Sequence, residues 1–216
     1  MTINHHPSDE TLLRLAAGAL GAGPALVVSV HLEGCAVCRD RVARFETVGG
    51  ALLGEMPPAP LSADLFGRTM ERLDAAQSLP AAAPAARTQP AMGFELPEAM
   101  RDCDVGPWKW LGPGFKWSKV KIAGSPEAKV MLIKGRAGLP LPSHGHIGRE
   151  FMQILVGSVS DKRGEYLPGD LDEADEEVDH QPVVGQASDC ICLAAVEGDT
   201  RLHGLIGRLM RPFVGF

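Results

Sequence analysis

Two regimes of hydrophobic patterning follow one another along the chain. Up to about residue 77 the apolar positions recur at helical spacing. Ser8 is placed to cap a first helix, with Asp9 and Glu10 in its first turn, where they favour the helix dipole. Leu12, Leu13, Leu15, Ala16, Ala19 and Leu20 supply its apolar face, and Gly21 ends it. Pro24 fits the first turn of a second helix running toward His31, and a third from about Ala36 carries Val42, Phe45 and Val48 up to the Gly49-Gly50 pair. A fourth begins at Ser62 with Leu65, Phe66, Thr69, Met70 and Leu73 on one stripe. Such a stripe is core in a closed bundle, or surface for a partner where a small bundle has apolar area to spare.

From residue 94 the period shortens to two. In "WKWLGPGFKWSKVKIAG" Trp108 and Trp110 are expected on one side of a short strand, which turns through Gly112-Pro113-Gly114 before Lys119 and Lys121 alternate with Val120 and Ile122. "KVMLIKG", "FMQILVGSVS" and "DCICLAAVEG" continue the pattern with glycine punctuation. Many short strands and no long helical stretch predict a β-barrel or sandwich. The apolar tail "RLHGLIGRLMRPFVGF", with its interspersed arginines, is expected to close the barrel or an oligomer contact.

Between the regimes, "SLPAAAPAARTQPAMG" loses periodicity in favour of Ala and Pro. Repeated proline makes this segment partly extended and stiff, so it is expected to hold two units apart while letting them reorient. The expected division is a helical domain over residues 1–77, a link over 78–93 and a β domain over 94–216.

Composition narrows the function classes. A chain of 216 residues that is 45% hydrophobic can build packed cores in one large or two small domains. Its first residues lack the cationic start and apolar run of a signal peptide, and "ALVVSV" is far short of the roughly 20 residues that span a bilayer, so a cytoplasmic location and no membrane partner are expected. A net charge of -6 without a basic run argues against direct nucleic-acid binding. Five cysteines, an odd number, spaced Cys35-x-x-Cys38 and Cys190-x-Cys192, suggest metal or redox chemistry more than disulfides, with Cys103 left as a small hydrophobe.

In "HLEGCAVC", His31, Cys35 and Cys38 stand at i, i+4 and i+7. On a continuous helix they fall within an arc of roughly 60°, and a break at Gly34 would still leave them at a helix junction. Thiolate and imidazole together suit zinc, a borderline-soft tetrahedral cation, and His5 or His6 is available as the fourth ligand. A thioredoxin-like redox pair would need a preceding strand that the pattern does not supply. Residues 1–77, through the histidine pair and the His-x3-Cys-x2-Cys motif, resemble the zinc-binding anti-sigma domain. That resemblance implies a small helical fold holding one zinc through His31, Cys35, Cys38 and, in preference to His5, His6. It also implies binding to an extracytoplasmic-function sigma factor, which is kept from RNA polymerase.

A second cluster lies in "GLPLPSHGHIGREFMQILVG", written G-x5-H-x-H-x3-E-x6-G. On a strand His144 and His146 share a side, and Glu150 can approach them after a turn, giving a divalent-metal site with room for a further ligand. The spacing is that of the first cupin motif. The second motif departs from the family pattern: after the Pro168-Gly169-Asp170 turn an acidic insertion delays the candidate histidine to His180, and Glu176 or Glu177 is an alternative. Cys190 and Cys192 alternate with Ile191 and Leu193, so both thiols face one side, either as small hydrophobes in the barrel or as redox-sensitive groups near the metal.

A zinc-binding anti-sigma domain followed by a cupin is similar to the ChrR-type anti-sigma factors, over nearly the whole chain. The implied fold class is multidomain α and β, a small N-terminal zinc-binding helical domain plus a C-terminal cupin β-barrel. The implied protein is a non-enzyme. It would form a 1:1 complex with an extracytoplasmic-function sigma factor and release it under singlet-oxygen-type stress sensed through the cupin, with Zn2+ in the first site and a divalent metal, expected to be Zn2+, in the second. The alternative is a metal-dependent cupin dioxygenase or isomerase with an attached zinc-binding regulatory domain.

Overall fold

A computed structural model describes residues 2–77, 92–141 and 143–202. The expected link at 78–93 falls almost wholly outside them, as does the apolar tail from residue 203. Four helices come first: α1 (Asp9–Ala16), α2 (Ala22–Gly34), α3 (Ala36–Glu55) and α4 (Leu65–Gln77). Ser8 caps α1 as the sequence predicts, its side chain accepting from the Thr11 N–H. The helix stops at Ala16, short of Leu20, because the chain turns at Gly18 with φ at +65°, a conformation that costs glycine little. α3 runs through Gly49-Gly50, where a stop is expected; each glycine there costs roughly 1 kcal/mol relative to Ala but does not interrupt the hydrogen-bonded spiral.

Among the described residues ten strands follow a 3-10 turn at Glu98–Met100. They are β1 (Asp104–Val105), β2 (Lys109–Gly112), β3 (Phe115–Ile122), β4 (Ser125–Gly135), β5 (His144–Val156), β6 (Val159–Asp161), β7 (Gly164–Tyr166), β8 (Leu171–Ala174), β9 (Val183–Val184) and β10 (Cys190–Leu202). The larger sheet is antiparallel throughout in the order β1-β3-β4-β10-β5-β8, with β2 on β3, and the smaller has the order β7-β6-β9. Trp108 precedes β2, half-buried with its indole N–H on the Met92 carbonyl, while Trp110 is exposed, so the two tryptophans do not share one buried side. Where β5 and β10 pair, Gly148 faces Gly198. A Cβ on Gly148 would lie 1.9 Å from the Glu197 carbonyl oxygen and one on Gly198 1.8 Å from that of Ile147, so only glycine fits either place.

The central strands bury both faces. On β10, Cys190 and Cys192 point into a core with Phe115, Met152, Ile154, Tyr166 and Val184. Ile191, Leu193 and Ala195 point the other way, into a core with Val130, Leu132 and Phe151 that also contains Leu26, Val27, Val28 and Val30 of α2. α2 thus lies against the outer face of the larger sheet, close enough that a Cβ on Gly23 would sit 3.1 Å from Val130. Each fully buried valine there contributes on the order of 1.5–3 kcal/mol. The expectation that the link holds two units apart is therefore corrected: a helix that is apolar on all sides needs cover on all sides, and the sheet supplies what α1 and α3 leave open.

The helical part is not a closed four-helix bundle. α1 packs on α3, whereas the described side chains of α4 and of the second half of α3 are largely solvent-exposed. Phe66 is 78%, Leu61 76%, Leu53 69% and Met56 63% exposed.

Candidate metal centres

The first centre assembles where α2 ends and α3 begins. Gly34 closes α2, and Cys35, in an extended conformation, is the N-cap of α3 with its sulfur accepting from the Cys38 N–H. This break turns Cys35 and Cys38 toward His31 on the preceding helix. The N-terminal strap then brings in His6, whose Nδ1 lies 3.4 Å from each of the two sulfurs. One ligand atom from each of His6, His31, Cys35 and Cys38 lies within 4.8 Å of the others. His5 is turned away, its ring 4.3 Å from that of Tyr166 and its Nδ1 3.3 Å from an oxygen of Asp170.

The chemistry of this cluster suits a metal. His31 Nδ1 lies 3.0 Å from the Gly169 carbonyl, which can only accept, so that nitrogen carries the proton and Nε2 holds a lone pair. Nε2 is buried and has no hydrogen-bond partner, an expensive arrangement unless a cation takes it. Burial, and then His6 nearby, lower the His31 pKa against the hydrogen bonds that raise it, which favours the neutral ligating imidazole. Burial and then Cys35 push the Cys38 thiol up to about 12, so a thiolate needs a bound cation. Two imidazoles and two sulfurs are a donor set suited to tetrahedral zinc.

The second centre is built on β5, β6 and the loop after β8. His144 and His146 lie on β5, paired through their backbones with Leu202 and Thr200. Their side chains are outside the described residues. Further along β5, Glu150 Oε2 is 3.9 Å from Nε2 of His180, which is buried. Glu176 and Glu177 are exposed on the loop before it, so the structure places His180 rather than either glutamate beside Glu150.

Sequence reasoning missed the groups around His180. Asp161 Oδ2 lies 3.0 Å from His180 Nδ1, and an Arg163 nitrogen lies 2.9 Å from Asp161, 2.6 Å from Asp172 and 3.1 Å from the same His180 nitrogen. Asp161, Asp172 and His180 bring three donor atoms together, but the Arg163 guanidinium already pairs with both carboxylates. Burial alone would raise the Asp161 pKa; hydrogen bonds from the Arg163 backbone and side chain and from His180 outweigh it and hold the carboxyl below the ordinary range. Such a carboxylate fixes the orientation of the imidazole, here with Nε2 toward Glu150. Cys190 and Cys192 are buried, and burial pushes Cys190 up to about 12 and raises Cys192 as well. In this state they pack as small hydrophobes, because reactive thiols need accessible thiolate.

The family described as the ChrR cupin-like domain matches residues 97–197. An anti-sigma-E factor ChrR of Cereibacter sphaeroides is 36% identical over 214 residues, covering 99% of each chain. The crystal structure of Rhodobacter sphaeroides SigE in complex with the anti-sigma ChrR matches at 35% identity with a TM-score of 0.72, over 91% of this chain and 100% of that one. An RmlC-like cupin of Ralstonia eutropha shares 22% identity over 47% of this chain and 69% of its own, with a TM-score of 0.40, too partial a likeness to bear on function. With the helical cluster, the cupin-like sheet and a whole-length relative in agreement, this chain belongs to the ChrR family of anti-sigma factors.

Proposed function

We propose that this protein is a cytoplasmic anti-sigma factor that holds an extracytoplasmic-function sigma factor in a 1:1 complex, away from RNA polymerase, and releases it under oxidative, singlet-oxygen-type stress. The observation that carries the reading is the uncovered apolar surface of α3, α4 and the segment between them, which includes Val48, Leu52, Leu53, Met56, Leu61 and Phe66. Exposed aliphatic and aromatic side chains in such density are the mark of a partner surface. That the relative of known structure was solved with a sigma factor supports the choice of partner. Among the described residues no helix is long and apolar enough to cross a membrane.

In this reading Zn2+ sits among His6, His31, Cys35 and Cys38 and contributes folding free energy to a helical part with little core of its own. A second divalent ion, which we take to be Zn2+, sits among His144, His146, Glu150 and His180. The chain divides into residues 1–77, a link at 78–93 and a cupin at 94–216, the first holding the sigma factor and the last sensing the oxidant. We read the cupin as a sensor and not an enzyme, a reading supported by an interior filled with Phe115, Met152, Ile154, Tyr166 and the two thiols. The test is reporter transcription driven by the sigma factor in cells that make this chain, with and without a singlet-oxygen generator. Repression relieved by oxidant is expected. Transcription indifferent to the chain would overturn the anti-sigma reading, and repression indifferent to oxidant would overturn the sensing reading.

A further inference from the structure

The groups that face Nδ1 of His31 do not come from the helical part. His31 Nδ1 faces two groups of the sheet domain, the Gly169 carbonyl at 3.0 Å and Gln153 Oε1 at 3.2 Å. Gln153 is itself 2% exposed, and its side-chain nitrogen donates to the Ile154 carbonyl, which fixes the oxygen toward the histidine. The Gly169 carbonyl is fixed too, because its own N–H donates to the Ile154 carbonyl and the Ile154 N–H donates to the Asp170 carbonyl. Gly169 has φ at +98°, and a Cβ there would lie 2.9 Å from Ile3, so the strap crosses directly over this turn.

The strap that carries His6 is pinned by the next residue. Asp170, 1% exposed, accepts the Asn4 N–H at 2.7 Å and the His5 N–H at 3.0 Å on one oxygen, while its other oxygen accepts the Leu167 N–H at 2.8 Å. The Leu171 N–H returns a hydrogen bond to the His5 carbonyl at 3.2 Å. Beyond His6, Ser8 and Thr11 both bond to the Glu173 carboxylate. The strap is thus held on both sides of His6, by residues of the sheet domain.

We propose that the N-terminal metal centre is completed by the cupin: Gly169 and Gln153 orient His31, Asp170 holds the strap that presents His6, and metal retention therefore depends on residues outside the helical part. The inference rests on the reading of His6, His31, Cys35 and Cys38 as a metal centre. It gives a short physical connection between the two centres, since Asp172, two residues beyond Asp170, is bonded to the Arg163 that touches His180. A displacement of residues 169–172 at the second centre would loosen both histidines of the first.

The test uses the full chain loaded with Co2+, whose thiolate charge-transfer absorption reports the cysteine-containing centre alone, titrated against a competing chelator. Gln153→Leu removes one of the two acceptors at His31 Nδ1, leaving the Gly169 carbonyl, and Asp170→Ala releases the strap; each is expected to weaken retention by about 10- to 100-fold, the usual effect of losing an outer-shell partner. Gln153→Glu keeps the acceptor but loses the amide donor to the Ile154 carbonyl, so its retention should fall between that of Gln153→Leu and that of the parent protein, a partial rescue that a merely structural role would not give. Retention by Gln153→Leu equal to that of the parent overturns the role of Gln153 at His31, and equal retention by Asp170→Ala overturns the role of Asp170 at His6. A parent protein with no thiolate band would instead overturn the metal centre itself, and the inference with it.

Discussion

His31 Nδ1 and the carbonyl oxygen of Gly169 lie 3.0 Å apart although 138 positions separate them in the chain. The contact fixes the tautomer of a candidate metal ligand by a group of the sheet, and it ties together the parts that the sequence divides at an Ala- and Pro-rich link. The inhibitor and the sensor of the proposed function therefore meet at one turn.

The sulfur ligands give the plainest prediction. Cys35→Ser or Cys38→Ser removes a thiolate from a site whose zinc, by analogy with structural zinc sites, carries roughly 10–16 kcal/mol of apparent binding free energy at neutral pH. The helical part should lose its metal and unfold, with repression of the sigma factor lost. Metal analysis and far-UV circular dichroism check this; a metal-free double variant that keeps its helicity and still represses would refute a structural metal.

The partner surface can be tested without touching the fold. Phe66→Asp and Leu53→Asp lie at exposed positions, so stability should change by no more than about 0.5 kcal/mol at Phe66 and about 1 kcal/mol at Leu53, where Asp in the last turn of α3 opposes the helix dipole. Affinity for the sigma factor should fall at least about 30-fold, corresponding to the loss of about 2 kcal/mol at an interface anchor. Calorimetric titration measures this, and unchanged affinity in both variants would place the sigma factor elsewhere.

Acid should act through Asp170. Burial alone would raise its pKa, but the N–H groups of Leu167, His5 and Asn4 and the His5 ring outweigh that and hold it below the ordinary carboxylate range. A folded-state value below the unfolded one means that its stabilisation is complete above about pH 4 and is lost as pH falls through the folded value. Asp161 acts with the same sign, while Asp172, raised by burial, acts with the opposite one. The difference in stability between the parent and Asp170→Asn isolates the group, and it should shrink on acidification below about pH 4. A difference that holds constant down to pH 2 would contradict the ionised, hydrogen-bonded Asp170.

For the second centre, alanine at His144, His146, Glu150 or His180 should lower metal content from about two ions per chain to about one, the remaining ion being that of the cysteine centre. Sigma binding should persist and oxidant-induced release should fail. Metal stoichiometry set beside reporter induction checks both, and normal induction by variants that have lost the second metal would remove its sensing role.

Much of this is legible in the residues, including two apolar runs whose meaning the periodicity alone does not show, and the rest leaves no trace in the sequence. The His-x3-Cys-x2-Cys spacing pointed to three converging ligands, and the period of two to strands, because both depend on local geometry. The docking of α2 on the sheet was also written in the chain. "GPALVVSV" is apolar on every side, as only a fully covered helix can be, and "CICLAAV" on β10 is a continuous apolar run, the pattern of a strand buried on both faces. What could not be read were the contacts of Asp161, Arg163 and Asp172 with His180, and of Gln153 and Gly169 with His31. Each joins residues whose proximity is set by tertiary packing and leaves no period in the sequence.

The central claim is tested most directly by run-off transcription with purified RNA polymerase, whichever extracytoplasmic-function sigma factor the chain captures from its own cells, and increasing amounts of the metal-loaded protein. The account predicts that transcripts fall to background as the chain reaches a 1:1 ratio with the sigma factor, and that the Phe66→Asp variant shifts the titration to a large excess. Transcription that persists undiminished at a large excess of the folded, metal-loaded chain would contradict it.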